Sequence, residues 1–249
     1  MSRIEVLDLP VDVLDLEALL ERVAALVDEE SSSTIGYLNI HVANLAAADP
    51  DLTAFLQRLD VCYCDGEGIR LGARLLGESL PVRMTGADWI WPLAARAEGR
   101  WRIFWLGGEP GVTAEAAGVL QQRHPQLKID TDHGFHSPED QEALLHRINA
   151  FEPHIVLVGM GTPLQERWVE AWRDQVNAPV VWCLGATADF VAGRVDRGPA
   201  FLNQNQEWLA RMLVDPRRLW KRYLVGNVRF VGRVLQSKWQ GSNETSGTG

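Results

Sequence analysis

Apolar positions along this chain alternate between two periods. Short apolar runs, each buried as a strand would be, are followed by longer stretches with apolar residues three and four apart, the mark of a helix buried on one face. Residues 4–7 read as a strand and residues 14–27 as a helix. Residues 34–38 form the next strand, followed by a helical stretch from His41 that Asp49-Pro50 interrupts and residues 52–59 resume. Residues 61–64 are a strand, with helices over 68–76 and 88–97. Three βα units follow, with strands at 102–106, 127–131 and 154–158 and helices starting near Pro110, Ser137 and Thr162. Residues 179–184 give a further strand. Regular alternation of this kind predicts an α/β, Rossmann-like fold, a mainly parallel sheet flanked by helices.

The chain has 249 residues, 46% of them hydrophobic, enough for one sizeable core. Residues 1–200 are expected to form that core, 201–240 a basic helical appendage, and 241–249 (GSNETSGTG) a small, polar, disordered tail.

Charge sets the appendage apart. Net charge is −9, which argues against nucleic acid as a partner. Yet residues 211–239 hold eight Lys/Arg against one acid, Asp215, leaving −16 for the rest. An acidic body with a basic end points to a localised anionic partner. Asp215-Pro216 opens a helical run to Trp239. At about 100° per residue, Trp220, Tyr223, Leu224, Val228, Val231, Val234 and Leu235 share one face. Arg218, Arg222, Arg229 and Arg233 fall opposite, with Arg217, Lys221 and Lys238 within or beside the apolar arc. That is the profile of a helix lying in a membrane interface, and four bases near an anionic leaflet contribute roughly 4 kcal/mol. The alternative is an ordinary helix packed on the body with its arginines solvated. With no signal-peptide pattern and no apolar run of about 18 residues, a cytoplasmic protein with peripheral membrane contact is expected. Three cysteines, Cys62, Cys64 and Cys183, suit a reducing compartment and no disulfide framework.

Ligands of open parallel sheets bind beyond the C-terminal ends of the strands. The residues at those junctions are Asn39, Asp65-Gly66-Glu67-Gly68, Gly107-Gly108-Glu109-Pro110-Gly111, His133-Gly134-Phe135, Gly159-Met160-Gly161-Thr162-Pro163 and Gly185-Ala186-Thr187-Ala188-Asp189. Glycines here either serve tight turns or let backbone N–H groups approach a phosphate at a helix N-terminus. Neither the dinucleotide fingerprint nor a P-loop is complete. Asp65 follows its strand directly; it is placed either to accept a proton as a general base or to cap the next helix. Thr162-Pro163-Leu164-Gln165 reads as a capping box with proline at its first helical position, and Thr85-Gly86-Ala87-Asp88 as another. Arg83, in a loop before a helix, is of the type that neutralises a diphosphate. No His/Cys/acid cluster has metal spacing; His133 and His136 could be ligands or simply loop residues beside a helix cap, and no metal is expected.

Read together, these junctions resemble the bacterial WecG/TagA/CpsF glycosyltransferase family. The likeness runs from Tyr37-Leu38-Asn39 through Asp65-Gly66-Glu67-Gly68, Pro81-Val82-Arg83-Met84-Thr85-Gly86 and Phe104-Trp105-Leu106-Gly107-Gly108. It continues through Gly159-Met160-Gly161-Thr162-Pro163-Leu164-Gln165-Glu166-Arg167-Trp168, Asp189-Phe190-Val191-Ala192-Gly193, Glu207-Trp208-Leu209 and Asp215-Pro216-Arg217-Arg218-Leu219 to Lys221-Arg222-Tyr223. Tyr37, Ala188 and Asn205-Gln206 depart from the family pattern. The resemblance implies an inverting, metal-independent, cofactor-free transfer of N-acetylmannosamine, its uronic acid or a related hexose from UDP to an undecaprenyl-diphosphate-linked sugar. It implies Asp65 as general base, and Asn39, Arg83, Gln165, Gly107, Gly108 and Gly161 around the donor. Phe135 and Asp189 would meet uracil and ribose. The basic appendage, with Arg218, Lys221, Arg222, Arg229 and Arg233, would dock on the inner face of the membrane and reach the diphosphate. Rival readings are a nucleotide-dependent oxidoreductase and a non-catalytic membrane-surface module. The oligomeric state stays open, a homo-oligomer included.

Overall fold

The computed structural model describes residues 2–194 and 225–246, with side chains described to residue 240. Arg218, Lys221, Arg222 and the first part of the expected basic helix lie outside the described residues.

The α/β expectation holds. The main sheet contains β3 (Ser33–Leu38), β4 (Val61–Cys64), β5 (Arg102–Gly107), β6 (Lys128–Asp132), β7 (Ile155–Gly159) and β8 (Val180–Cys183), preceded by a hairpin of β1 (Arg3–Val6) and β2 (Leu9–Asp12). The six sheet strands run parallel in the order β4-β3-β8-β7-β5-β6. Interior strands read as unbroken apolar runs because helices cover both their faces; Ile155–Gly159 is buried at every position. The edge strand β6 is half-exposed and charged instead. The chain steps toward one edge from β3 to β4 and toward the other from β5 to β6, and loops part where such directions diverge.

The helices are α1 (Leu16–Asp28), α2 (Ile40–Ala46), α3 (Pro50–Gln57), α4 (Glu67–Leu76), α5 (Gly86–Ala97), α6 (Val112–Arg123), α7 (Gln141–Ala150), α8 (Leu164–Trp172), α9 (Thr187–Val191) and α10 (Gly226–Ser246). Local signals set several of their ends. Asp15 caps α1 by accepting the Ala18 N–H at 2.9 Å. Gly77, in the left-handed region at φ 93°, stops α4. In the core, the Trp89 and Trp182 rings stack at 3.9 Å, and Trp89 Nε1 donates to the Tyr63 hydroxyl at 3.1 Å.

The β2 strand was not visible in the pattern. Its Leu9-Pro10-Val11-Asp12 carries a proline and ends on an acid, yet all four residues are buried. Asp12 is satisfied on every side. Arg3 grips it in a fork at 2.7 and 2.9 Å, and its Oδ2 accepts the Cys62 N–H of β4 at 2.7 Å. The hairpin is thereby pinned to the sheet edge.

The C-terminal helix differs from its expected layout. α10 packs on α2 and α4 through Phe230 and Val234, both buried. Arg233, expected on the solvated face, donates from Nη1 to the Ala43 carbonyl at 3.0 Å, because it flanks that docking face. Val228, Leu235 and Trp239 point outward, 74%, 51% and 70% exposed, so the expected single apolar arc is divided between two faces. Arg229 is exposed beside the outer stripe. The helix backbone continues to Ser246, into the segment expected to be disordered, since extending a formed helix costs little per residue. No helix among the described residues is long and apolar enough to cross a membrane.

Candidate active site

A cavity of about 1470 Å³ opens at the C-terminal ends of the parallel strands. Each strand delivers a residue to it from just past its tip: Asn39, Asp65, Gly108, Gly134, Gly161 and Gly185. Phe230 and Val231 of α10 close one side, so the C-terminal helix belongs to the cavity wall.

Asp65 continues the ladder of β4, its N–H bonded to the Leu38 carbonyl at 2.9 Å, which sets its side chain at the cavity floor. The capping alternative fails. α4 begins at Glu67 with Gly66 as its cap, at φ 121° and with no side-chain capping bond. Asp65 Oδ2 instead accepts a hydrogen bond from Asn39 Nδ2 at 2.8 Å. Asn39 is itself fixed, because its Oδ1 caps α2 by accepting the Val42 N–H at 2.9 Å. The amide orientation is therefore dictated, and its donor has to face the carboxylate.

Arg83 also lines the cavity, its side chain only 8% exposed and its Nη1 3.4 Å from Asp88 Oδ2. Asp88 accepts the Thr85 N–H at 2.9 Å, so the expected capping box of α5 is present and also braces the arginine. The second expected box is not formed. Pro163 is the cap of α8 and makes no side-chain capping bond, while Thr162 Oγ1 donates to Glu166 Oε1 at 2.9 Å. The Thr162-Pro163 bond is cis.

Gln165 stands behind the cavity wall, fully buried. Its Oε1 accepts the Gly185 N–H at 3.0 Å, and its Nε2 donates to Glu166 Oε1 at 2.8 Å and lies 3.4 Å from the Tyr37 hydroxyl. Gly107 is also set back, since a Cβ there would sit 2.3 Å from the Gly159 carbonyl oxygen. Gly108 and Gly161 face the cavity directly. Phe135 stands at the rim, 66% exposed, and Asp189, in the first turn of α9, also lines the cavity.

Sequence reasoning missed Glu166 and the role of Tyr37, both of them polar groups inside the core. Burial pushes the Glu166 carboxyl above its ordinary value, against the hydrogen bonds from Gln165 and Thr162. Burial raises the Tyr37 hydroxyl as well. An acid in the first turn of an amphipathic helix looks solvated in sequence, and nothing local marks it as buried. The cysteines are buried thiols; desolvation pushes Cys64 up to about 12, so it is no nucleophile at neutral pH.

Asp132, His133 and His136 bring ligand-type atoms within 4.8 Å of one another. Arg147 already neutralises Asp132 at 2.6 Å, and His133 Nδ1 accepts the Phe135 N–H at 3.2 Å. His136 Nε2 lies 3.2 Å from Asp132 Oδ1 without hydrogen-bond geometry, and the two imidazoles stack at 4.2 Å. A guanidinium on the carboxylate competes with any cation there.

The chain as a whole has relatives among known proteins. The family described as "Glycosyl transferase WecG/TagA/CpsF family" matches residues 4–244. An N-acetylglucosaminyldiphosphoundecaprenol N-acetyl-beta-D-mannosaminyltransferase of Staphylococcus aureus (strain NCTC 8325 / PS 47) is 26% identical over 245 residues, covering 95% of this chain and 94% of the relative. The protein of the same name from strain MRSA252 is also 26% identical over 245 residues, with the same coverage of 95% and 94%. A family match that takes in every strand of the sheet and the helix closing the cavity leaves one assignment: the chain belongs to the WecG/TagA/CpsF family and is a glycosyltransferase.

Proposed function

We propose that this enzyme transfers an N-acetylmannosamine-type hexose from a UDP-sugar to a sugar carried on a polyprenyl diphosphate, with inversion at the anomeric carbon. The observation that carries the reading is the Asp65 carboxylate in the cavity, held at 2.8 Å by an asparagine that has no freedom to turn away. Asp65 takes the proton from the acceptor hydroxyl as its oxygen attacks the anomeric carbon. The bond to UDP breaks on the opposite face, and UDP departs with the electron pair. Arg83 and the backbone N–H groups of the glycine junctions stabilise the negative charge on the departing diphosphate, the role a metal takes in other transferases. The named mannosaminyltransferase relatives motivate the donor and the lipid acceptor.

A lipid-linked acceptor requires the cavity to approach a bilayer. The outward stripe of Val228, Leu235 and Trp239 flanked by Arg229 supports peripheral attachment to an anionic leaflet, in keeping with an active site facing the cytoplasm.

The test is a donor screen. UDP release is measured from a panel of UDP-sugars with a short-chain diphosphate-linked acceptor, alongside calorimetry with UDP and with NAD. Acceptor-dependent UDP release from one hexosamine donor is expected. Binding of NAD in place of UDP would overturn the reading in favour of an oxidoreductase.

A further inference from the structure

Beneath the cavity lies a set of buried polar groups that touches three of its walls. Glu166, 4% exposed, sits in the first turn of α8 on the side facing the core. Its Oε1 accepts from Thr162 Oγ1 at 2.9 Å and from Gln165 Nε2 at 2.8 Å. Gln165 passes the connection to the Gly185 N–H at 3.0 Å. The Tyr37 hydroxyl at the end of β3 lies 3.4 Å from both Thr162 Oγ1 and Gln165 Nε2. Thr162, Gly185 and Tyr37 face the cavity, whereas Gln165 and Glu166 stand behind it.

Burying a carboxyl is costly, and an apolar residue at this buried position would not carry that cost. Glu166 Oε2 is buried with no hydrogen-bond partner among the described residues. The side chain is therefore poorly explained by packing, and well explained by the two bonds that meet on Oε1. Gly185 is held in the left-handed region at φ +65°, and a Cβ there would lie 2.9 Å from the Tyr37 hydroxyl, so its loop is held close against the network.

We propose that Glu166 is a positioning residue that fixes two cavity loops from below, the β7–α8 loop through Thr162 and the β8–α9 loop through Gln165 and Gly185. These loops present Gly161 and Gly185 to whatever occupies the cavity. Preorganised sites lose rate steeply when such walls drift by about an ångström. The effect on turnover rests on the sugar-transfer reading above, whereas the holding of the loops does not.

Two readouts keep these apart. The first is hydrogen exchange at the Gly185 amide, followed by NMR in the full-length protein. The second is the split between kcat and donor KM. In Glu166→Ala, Gly185 protection is expected to fall by about tenfold or more while amides of α1 keep theirs. Its kcat is expected to fall by about tenfold, more than KM rises. Glu166→Gln keeps the acceptor oxygen and is expected to restore both values to within about threefold of wild type. Should Glu166→Ala not fold, Gln165→Met removes the amide's bonds at similar length, and the same loss at Gly185 is expected.

The proposal is overturned if Gly185 protection survives in these variants, or if Glu166→Gln is as impaired as Glu166→Ala. It is also overturned if an active wild type and Glu166→Ala turn over alike despite a lowered melting temperature. If the wild type moves no sugar yet Gly185 protection depends on Glu166 as described, the loop-holding role stands and the transferase chemistry fails.

Discussion

Asn39 uses the two ends of one amide for two tasks: its oxygen caps α2 and its nitrogen holds Asp65, at 2.9 and 2.8 Å. The cap makes the contact with Asp65 obligatory, because turning the amide would break both bonds. Asn39→Ser keeps a capping oxygen but cannot reach the carboxylate with a donor at the same time. Its stability is expected to stay within about 0.5 kcal/mol of wild type. Its turnover is expected to drop by about tenfold. Chemical denaturation and steady-state kinetics on the same preparation check this, and equal losses in both would count against the assignment.

Asp65→Asn keeps the shape of the site and removes the proposed proton acceptor. Loss of a positioned base costs about 10² to 10⁴ in rate. UDP affinity measured by calorimetry is expected to stay near wild type. A variant with near-full turnover would show that Asp65 is not the base.

Glu166 gives the protein a signed pH dependence. Its folded-state value lies above the ordinary 4.5 because burial disfavours the charged form. The folded state then holds a proton that the unfolded state releases as pH rises past 4.5. This contribution to stability is complete below that point and is lost as pH rises through the folded-state value. Glu166→Gln removes the titration. Its urea midpoint relative to wild type is expected to rise between pH 4 and 8, and a constant difference would show that the carboxyl does not titrate differently on folding.

Gly72 on α4 meets Phe230 of α10, and a Cβ there would lie 2.8 Å from the ring. Gly72→Leu should expel the ring and undock α10 from the cavity wall. Faster proteolysis within 226–246 and reduced turnover are expected, while the sheet keeps its cooperative unfolding. Unchanged cleavage would mean that the helix docks without Phe230.

Val228, Leu235 and Trp239 lie outward on α10. Replacing all three with serine is expected to reduce pelleting with anionic vesicles by about tenfold or more, since each buried apolar side chain contributes about 1.5–3 kcal/mol. UDP binding should be unaffected. Wild-type binding should weaken with salt, because charge is screened over about 8–10 Å at physiological strength. Undiminished pelleting of the triple variant would remove the membrane role of this face.

The sheet was legible in the sequence because buried parallel strands are continuous apolar runs; the reading of 61–64 coincides with β4, and each junction contributes at least one residue to a single cavity, although Gly107 is set back from it. The hairpin strand β2 was hidden by Pro10 and Asp12, whose burial depends on Arg3 and on a backbone group 50 residues away. Thr162 illustrates a second limit. Spacing suggested that its hydroxyl caps a helix, whereas the fold offered it the Glu166 carboxylate instead. On α10 the helical period was visible, but which face docks is decided by Phe230 meeting the bare surface at Gly72, a match that exists only in three dimensions.

The fork between Arg3 and Asp12 has a consequence for how copies of this protein can associate. β4 is an outer strand, and an open strand invites the same strand of another molecule to continue the sheet. Here the Cys62 N–H is already taken by Asp12, and the hairpin lies across the approach. A second copy would have to break that fork before its backbone could pair. The opposite margin, Lys128–Asp132, presents charge. Growth of the six-stranded sheet from molecule to molecule is thereby discouraged at both of its margins.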